Sequence, residues 1–176
     1  AADITYVNNG GSRVVPTMGS NPGKSKINTF GARLSLTPNR QHDIILDVET
    51  GRQTYDNARG QLGTLGNGGY APEQKYTRDQ WSLAHTGRYS FGVWDTSYMQ
   101  STTETIGRLI PTGVPGAGTP RTLETTSKVL DTKLVMPWGN HLTTLGGQYW
   151  QAQMQDGVAP VQFDFTQKAL FAEDEW

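Results

Sequence analysis

The sequence reads NTFGARLSL at residues 28–36 and HDIILDVET at residues 42–50, with the polar segment TPNRQ between them. In both stretches apolar residues recur at every second position, which is typical of a β-strand with one apolar face. Proline and asparagine in the intervening segment favour a tight turn. These residues therefore predict an antiparallel β-hairpin.

The side chains of this hairpin also predict how its strands pair. Placing Leu34 opposite Leu46 matches the two apolar faces, and the same pairing brings Arg33 opposite Asp47. A slip by one residue would set charged side chains against apolar ones. We therefore expect this register.

Alternation with a period of two continues along the chain and predicts about seven strands. They lie at about residues 28–36, 42–55, 75–86, 91–105, 123–136, 141–155 and 166–176. Short turns alternate with long loops at about 56–74, 106–121 and 156–165, and residues 1–25 are a loop or a preceding strand. Short turns at one end and long loops at the other are typical of transmembrane β-barrels. The expected fold class is all-β, an antiparallel transmembrane β-barrel segment.

Composition narrows the possible functions. Apolar residues make up 35% of the chain, the formal net charge is −1, and cysteine is absent. The chain has no excess of basic residues that would indicate a nucleic-acid partner. Because cysteine is absent, disulfides, thiolate metal sites and cysteine nucleophiles are excluded. The sequence contains no run of eighteen apolar residues, so it predicts no transmembrane helix. Seven strands are fewer than a closed bacterial barrel needs, and the chain opens with Ala1, so we expect a longer mature protein.

Three stretches carry a resemblance to known proteins. They are DVETGRQTYDN with GQLG at residues 47–57 and 60–63, LTTLGG with MQDG at 142–147 and 154–157, and FAEDEW at 171–176. In this order and spacing they resemble TonB-dependent outer-membrane receptors for ferric catecholate siderophores, such as the colicin I and ferric enterobactin receptors. The resemblance covers about residues 30–176.

The resemblance implies a bacterial outer-membrane location and a 22-stranded barrel closed by a plug domain, which this chain lacks. The implied partners are a ferric catecholate siderophore, outer-membrane lipid or lipopolysaccharide, TonB through the missing plug region, and a colicin or phage. Iron would arrive inside the siderophore, so neither a cofactor nor a protein metal site is expected. The implied function is binding and import without covalent chemistry, and hence without catalytic residues.

Candidate ligand residues lie in or beside the predicted long loops. A ferric tris-catecholate is an anion with flat aromatic rings, which suits cationic and tyrosine side chains. The residues that we expect to bind it are Arg59, Tyr70, Lys75, Tyr76, Arg78, Arg108 and Arg121. A second set of charged residues lies on the non-apolar face of the strands, where a watery lumen is expected. These lumen-facing candidates are Arg33, Asp47, Glu49, Asp95, Asp131 and Lys133.

Aromatic residues and histidines complete the sequence-based expectations. Trp81, Trp94, Tyr98, Trp138, Tyr149 and Trp150 form the aromatic set. We expect a membrane-interface girdle, with Trp94 and Trp138 near the short turns. His42, His85 and His141 also lie near short turns, and we expect interfacial side chains there. Three alternatives stay open at this point: a soluble all-β binding module, an outer-membrane barrel enzyme, and a porin or adhesin.

Overall fold

The chain forms one antiparallel β-sheet. In the computed structural model, residues 2–14, 24–56, 70–110, 112–156 and 162–176 are described. The eight strands, in chain order, are β1 (Ala2–Val14), β2 (Lys24–Asn39), β3 (His42–Asp56), β4 (Tyr70–Tyr89), β5 (Gly92–Leu109), β6 (Pro120–Trp138), β7 (His141–Asp156) and β8 (Gln162–Glu175). Each strand pairs with the next, so the spatial order is the sequence order. The described residues contain no helix that could cross a membrane.

The connections are strongly asymmetric in length. Only two residues separate β2 from β3, β4 from β5 and β6 from β7. The other connections are longer, and because strands alternate in direction, the strand ends that they join all lie at the opposite end of the sheet. We call the two ends the short-turn end and the long-connection end.

The strands are longer than the sequence predicted. The strand β4 begins at Tyr70 and β6 at Pro120. The two long loops are therefore shorter than the predicted ranges of 56–74 and 106–121. The last strand begins at Gln162 instead of about residue 166. Residues 2–14 form a strand, which makes eight strands where about seven were expected.

The predicted hairpin register is confirmed. Leu34 lies opposite Leu46, and Arg33 lies opposite Asp47. Because side chains alternate across a strand, the pairing through all the strands separates two faces. One face, which we call the apolar face, carries a continuous cross-strand row: Leu34, Leu46, Leu83, Tyr98, Leu130 and Tyr149. The opposite polar face carries the row of Arg33, Asp47 and Ser82.

Among the described residues, no second layer covers the apolar face of this sheet. Among the described residues no large side chain is fully buried, and Leu83, Leu130 and Trp94 remain 42–46% exposed. Contiguous apolar surface of this kind marks a face that contacts another partner or a membrane. The fold therefore requires that something outside these strands covers the apolar face.

Candidate functional site

The candidate site is a cleft at the long-connection end. Its volume is about 330 Å³, and its lining residues are Tyr55, Gln74, Lys75, Tyr76, Thr105, Arg108 and Leu123. The lining residues come from β3, β4, β5 and β6, which are consecutive neighbours in the sheet. Tyr76 lies opposite Thr105, and Thr105 lies opposite Leu123. The pairing of four consecutive strands therefore brings Tyr55 and Leu123, which are far apart in sequence, to one cleft.

A β-bulge brings Arg108 to this cleft. Even-numbered residues of β5 such as Tyr98 and Ile106 follow the apolar face, and strict alternation would send Arg108 there as well. The register between β5 and β6 shifts at Gly107, so that Arg108 lies opposite Arg121. Gly107 has φ +105°, a conformation that L side chains rarely adopt. Bulges commonly redirect a side chain in this way.

Arg121 is held beside the cleft by a carboxylate. Its Nη1 atom donates to both carboxylate oxygens of Asp156, at 2.6 and 2.8 Å. The two side chains are 15% and 26% exposed, so this pair is the least solvated of the ion pairs among the described residues. Its Nε atom is buried and has no hydrogen-bond partner there. Asp156 therefore holds the Arg121 guanidinium in place next to Arg108 and offsets its positive charge.

The structure brings together several of the predicted ligand residues. Lys75, Tyr76 and Arg108 line the cleft, and Lys75 also pairs with Glu73 at 3.1 Å. Arg121 is Arg108's cross-strand neighbour. These positions agree with the predicted cluster, although their role in binding stays a prediction.

The remaining predicted ligand residues are placed less directly. Arg78 lies two residues from Tyr76 on the same strand and donates a hydrogen bond to Gln80. Tyr70 is a strand residue opposite Arg108. Arg59 lies outside the described residues. The sequence reasoning missed Tyr55, which ends the period-two pattern of β3 and accepts a hydrogen bond from the Gln53 amide.

The six predicted lumen-facing residues all lie on the polar face. Arg33 and Asp47 form a bidentate pair at 2.6 and 3.0 Å, as their register predicted. Lys133 approaches Asp95 at 3.8 Å, and the Gln148 amide donates to Asp131. Glu49 joins Arg33 and Asp47 in lining a groove of about 540 Å³. Whether this face encloses a lumen stays a prediction.

Aromatic rings cluster on the apolar face near the short turns. The Trp94 indole donates to Thr132, and the Trp138 indole donates to Thr143, both on the apolar face. These positions confirm that both tryptophans lie near the short-turn end. Trp150 corrects the prediction, because it points to the polar face and donates to Ser127. It follows Tyr149 directly, so the two rings cannot share one face of a strand.

The three histidines join the same aromatic zone. His42 stacks on His85 with centroids 5.2 Å apart, and a 3.0 Å hydrogen bond joins their rings. His141 stacks on Trp138 at 4.6 Å and contacts Asp174 at 2.7 Å. In the part of the chain that the structure describes, no three potential metal ligands come together. The histidines thus contribute to ring packing at the short-turn end.

Comparison with known proteins supports the fold. No protein-family model and no curated protein sequence matches this chain. The solved structures that match it include two receptors from Pseudomonas aeruginosa. The siderophore receptor PirA superposes with a TM-score of 0.67 at 14% identity, over 98% of this chain and 30% of PirA. A mutant of the ferric enterobactin receptor PfeA superposes with a TM-score of 0.71 at 15% identity, over 97% of this chain and 32% of PfeA.

The chain shares its fold with part of these receptors. It spans about a third of the length of the solved receptors that it matches. At this level of identity the likeness establishes the β-sheet architecture, and this confirms the predicted fold class of a barrel segment. The particular resemblance to the colicin I receptor stays a prediction.

Proposed function

We propose that this chain is part of the wall of a bacterial outer-membrane receptor that binds a ferric catecholate siderophore and imports it with energy delivered through TonB. The observation that carries the proposal is the cleft where Tyr76 and Arg108 converge at the long-connection end. Its support is the shared fold with two siderophore receptors. Under this proposal the apolar face contacts outer-membrane lipid and the polar face lines the lumen.

The cleft has the chemistry that such a ligand needs. A ferric tris-catecholate carries about three negative charges, which favour guanidinium partners, and its flat rings can stack on tyrosines. Arg108 supplies a cation beside the Arg121–Asp156 ion pair, while Tyr55 and Tyr76 supply ring faces. The receptor performs no covalent step, and the iron stays inside its chelate.

Ligand binding tests the proposal on the full-length parent protein in detergent. Ferric enterobactin is the probe, tryptophan fluorescence quenching is the readout, and ferrichrome is the non-catecholate comparison. We expect Arg108→Gln to raise Kd by about tenfold or more, because a charge-assisted hydrogen bond contributes about 1.5–3 kcal/mol. Tyr76→Ala should raise Kd by about two- to tenfold, because a stacked aromatic pair contributes about 0.5–1.5 kcal/mol. A growth assay on ferric enterobactin as the iron source, with and without TonB, tests import.

The matched control is Arg88→Gln. Arg88 lies at the short-turn end, where it pairs with Asp43 at 2.6 Å. The Arg88→Gln variant therefore loses an equivalent guanidinium far from the cleft, and its Kd for ferric enterobactin should stay at the parent value. Unchanged Kd values for both cleft variants would place the ligand elsewhere. Equal affinity for ferrichrome would reject the catecholate class while leaving a siderophore receptor possible.

A further inference from the structure

Two arginine–aspartate pairs on the polar face use the guanidinium in different ways. Arg33 donates from two nitrogens, Nε and Nη2, one to each carboxylate oxygen of Asp47. Arg121 donates from one nitrogen, Nη1, to both carboxylate oxygens of Asp156. The planar fork of a guanidinium fits a carboxylate best when two of its nitrogens donate in parallel. The Arg121–Asp156 pair therefore lacks the geometry that would make it strongest.

The Nε atom of Arg121 is left out of this pair. It is buried and has no hydrogen-bond partner among the described residues. A buried donor without an acceptor destabilises the arrangement that contains it, and such donors are uncommon in folded proteins. The Arg121 guanidinium would therefore gain hydrogen bonds if it turned toward a second acceptor that offers several oxygens.

Under the proposed function, such an acceptor enters the cleft beside Arg121. Arg108, which lines the cleft, lies opposite Arg121. Leu123 also lines the cleft, two residues further along β6, and Asp156 lies opposite Leu123. The ion pair thus lies at the edge of the cleft. A ferric tris-catecholate would bring negatively charged oxygens to this place, where they would compete with Asp156 for the same guanidinium.

We propose that Asp156 is an internal competitor of the ligand, which binds Arg121 in the ligand-free cleft and releases it to the catecholate oxygens. The inference rests on the proposed function and adds a positioning residue that acts through Arg121. The side chains of the pair are only 15% and 26% exposed, so an unpaired guanidinium there would be costly in the empty cleft. Because the ligand must replace two oxygens at once, the exchange favours a polyanion with adjacent oxygens over a small monovalent anion.

Ferric enterobactin binding to the full-length parent in detergent tests this competition. Asp156→Asn keeps the shape of the side chain and removes its charge. We expect it to lower Kd by about tenfold, which is the scale of one hydrogen bond to a charged group. In an Arg121→Gln background the same replacement should change Kd little, because no guanidinium remains to be released. If Asp156 served only to hold Arg121 in place for the ligand, Asp156→Asn would instead raise Kd.

Two further variants separate the release of Arg121 from a general change of charge. Glu124→Gln removes a carboxylate that directly follows Leu123 on β6 but lies on the apolar face, so its Kd should stay at the parent value. Asp156→Glu restores the negative charge and should reverse most of the gain that Asp156→Asn brings. A Kd lowered as much by either variant as by Asp156→Asn would contradict the competition.

Carboxyl labelling of the unsubstituted parent gives a second readout. Carbodiimide with glycine ethyl ester converts an accessible carboxylate into an amide, and peptide mass spectrometry measures the extent. Ferric enterobactin should raise the labelling of Asp156 and leave that of Asp43 unchanged, because Asp43 pairs with Arg88 at the short-turn end.

The outcomes distinguish this inference from the proposed function. Unchanged or lower labelling of Asp156 in the presence of the ligand would overturn the competition alone. An unchanged or higher Kd in Asp156→Asn, or an equal gain in the Arg121→Gln background, would do the same. A parent that does not bind ferric enterobactin would refute the proposed function and the competition together.

Discussion

Adjacent residues on β3 provide a test of whether the apolar face contacts lipid. Leu46 lies on the apolar face between Leu34 and Leu83, whereas Ile45 lies on the polar face between Ser35 and Ala84. Both aliphatic side chains are partly exposed in the sheet. Replacing each by arginine therefore introduces the same charge one residue apart on opposite faces.

The structure places Leu46 near the middle of the apolar band. His42 bounds that band at the short-turn end, and Thr50 lies the same number of residues away in the other direction. Four residues span about 13 Å along a strand, or about 10 Å of depth at a tilt of about 40°. An arginine at the bilayer midplane of a barrel costs about 2–4 kcal/mol. Leu46→Arg should therefore lower the folding equilibrium constant by a factor of about 30 to 1,000.

The assay is guanidinium unfolding of the full-length parent in lipid vesicles, followed by tryptophan fluorescence. Ile45→Arg should change the unfolding free energy much less, because its guanidinium enters a solvated face that already carries Asp47. Equal losses for the two variants, or no loss for Leu46→Arg, would refute the assignment of the apolar face to lipid. A parent that is folded in plain buffer would favour a soluble protein, in which a second layer outside this chain covers the apolar face.

Two further predictions test the bulge and the register. Gly107→Ala should weaken ferric enterobactin binding more than Gly113→Ala does. Both glycines have positive φ, but a Cβ at Gly107 would lie 2.6 Å from a backbone carbonyl oxygen of β4, while Gly113 has open space around it. Parent-like binding by Gly107→Ala would show that the bulge is not needed. Arg33→Asp should lower the thermal unfolding midpoint slightly, because it sets two carboxylates opposite each other. Adding Asp47→Arg should restore the midpoint, because the charges are then opposite again. A double variant whose midpoint is no higher than that of Arg33→Asp would contradict the pairing.

Sequence reasoning succeeded where neighbouring strands constrain each other. Around residues 28–50 the apolar alternation and the opposite charges agree on one register, so that a slip would cost both apolar contact and the ion pair. The strand β1 lacked such a signal, because its sequence VNNGGS at residues 7–12 has little alternation. It is identified by its pairing with β2.

The long-connection end was the hardest part to predict. Pro72 lies within β4, where a proline argues against a strand, and the pairing with β5 shifts between Tyr70 and Lys75. The nearby shift at Gly107 changes the face of Arg108. The sequence indicated which residue types form the predicted ligand cluster. It could not indicate the bulge, because a bulge interrupts the period-two pattern and leaves no periodic signal of its own position. The position of the cleft therefore follows from the folded structure and not from the sequence pattern.

Under the proposed function, the height of the cleft above the apolar band accounts for a ligand that is soluble and charged. On β4 the last aromatic residue of the apolar face is Trp81, and Tyr76 lies five residues further toward the long connections. Five residues correspond to about 17 Å along the strand, or about 13 Å of height at a tilt of about 40°. Under the proposed function, Arg108 at that height lies beyond the hydrocarbon, where its guanidinium keeps its charge and an anion can reach it from water. The same sheet thus separates, along a single strand direction, a surface suited to lipid from a surface suited to an aqueous anion.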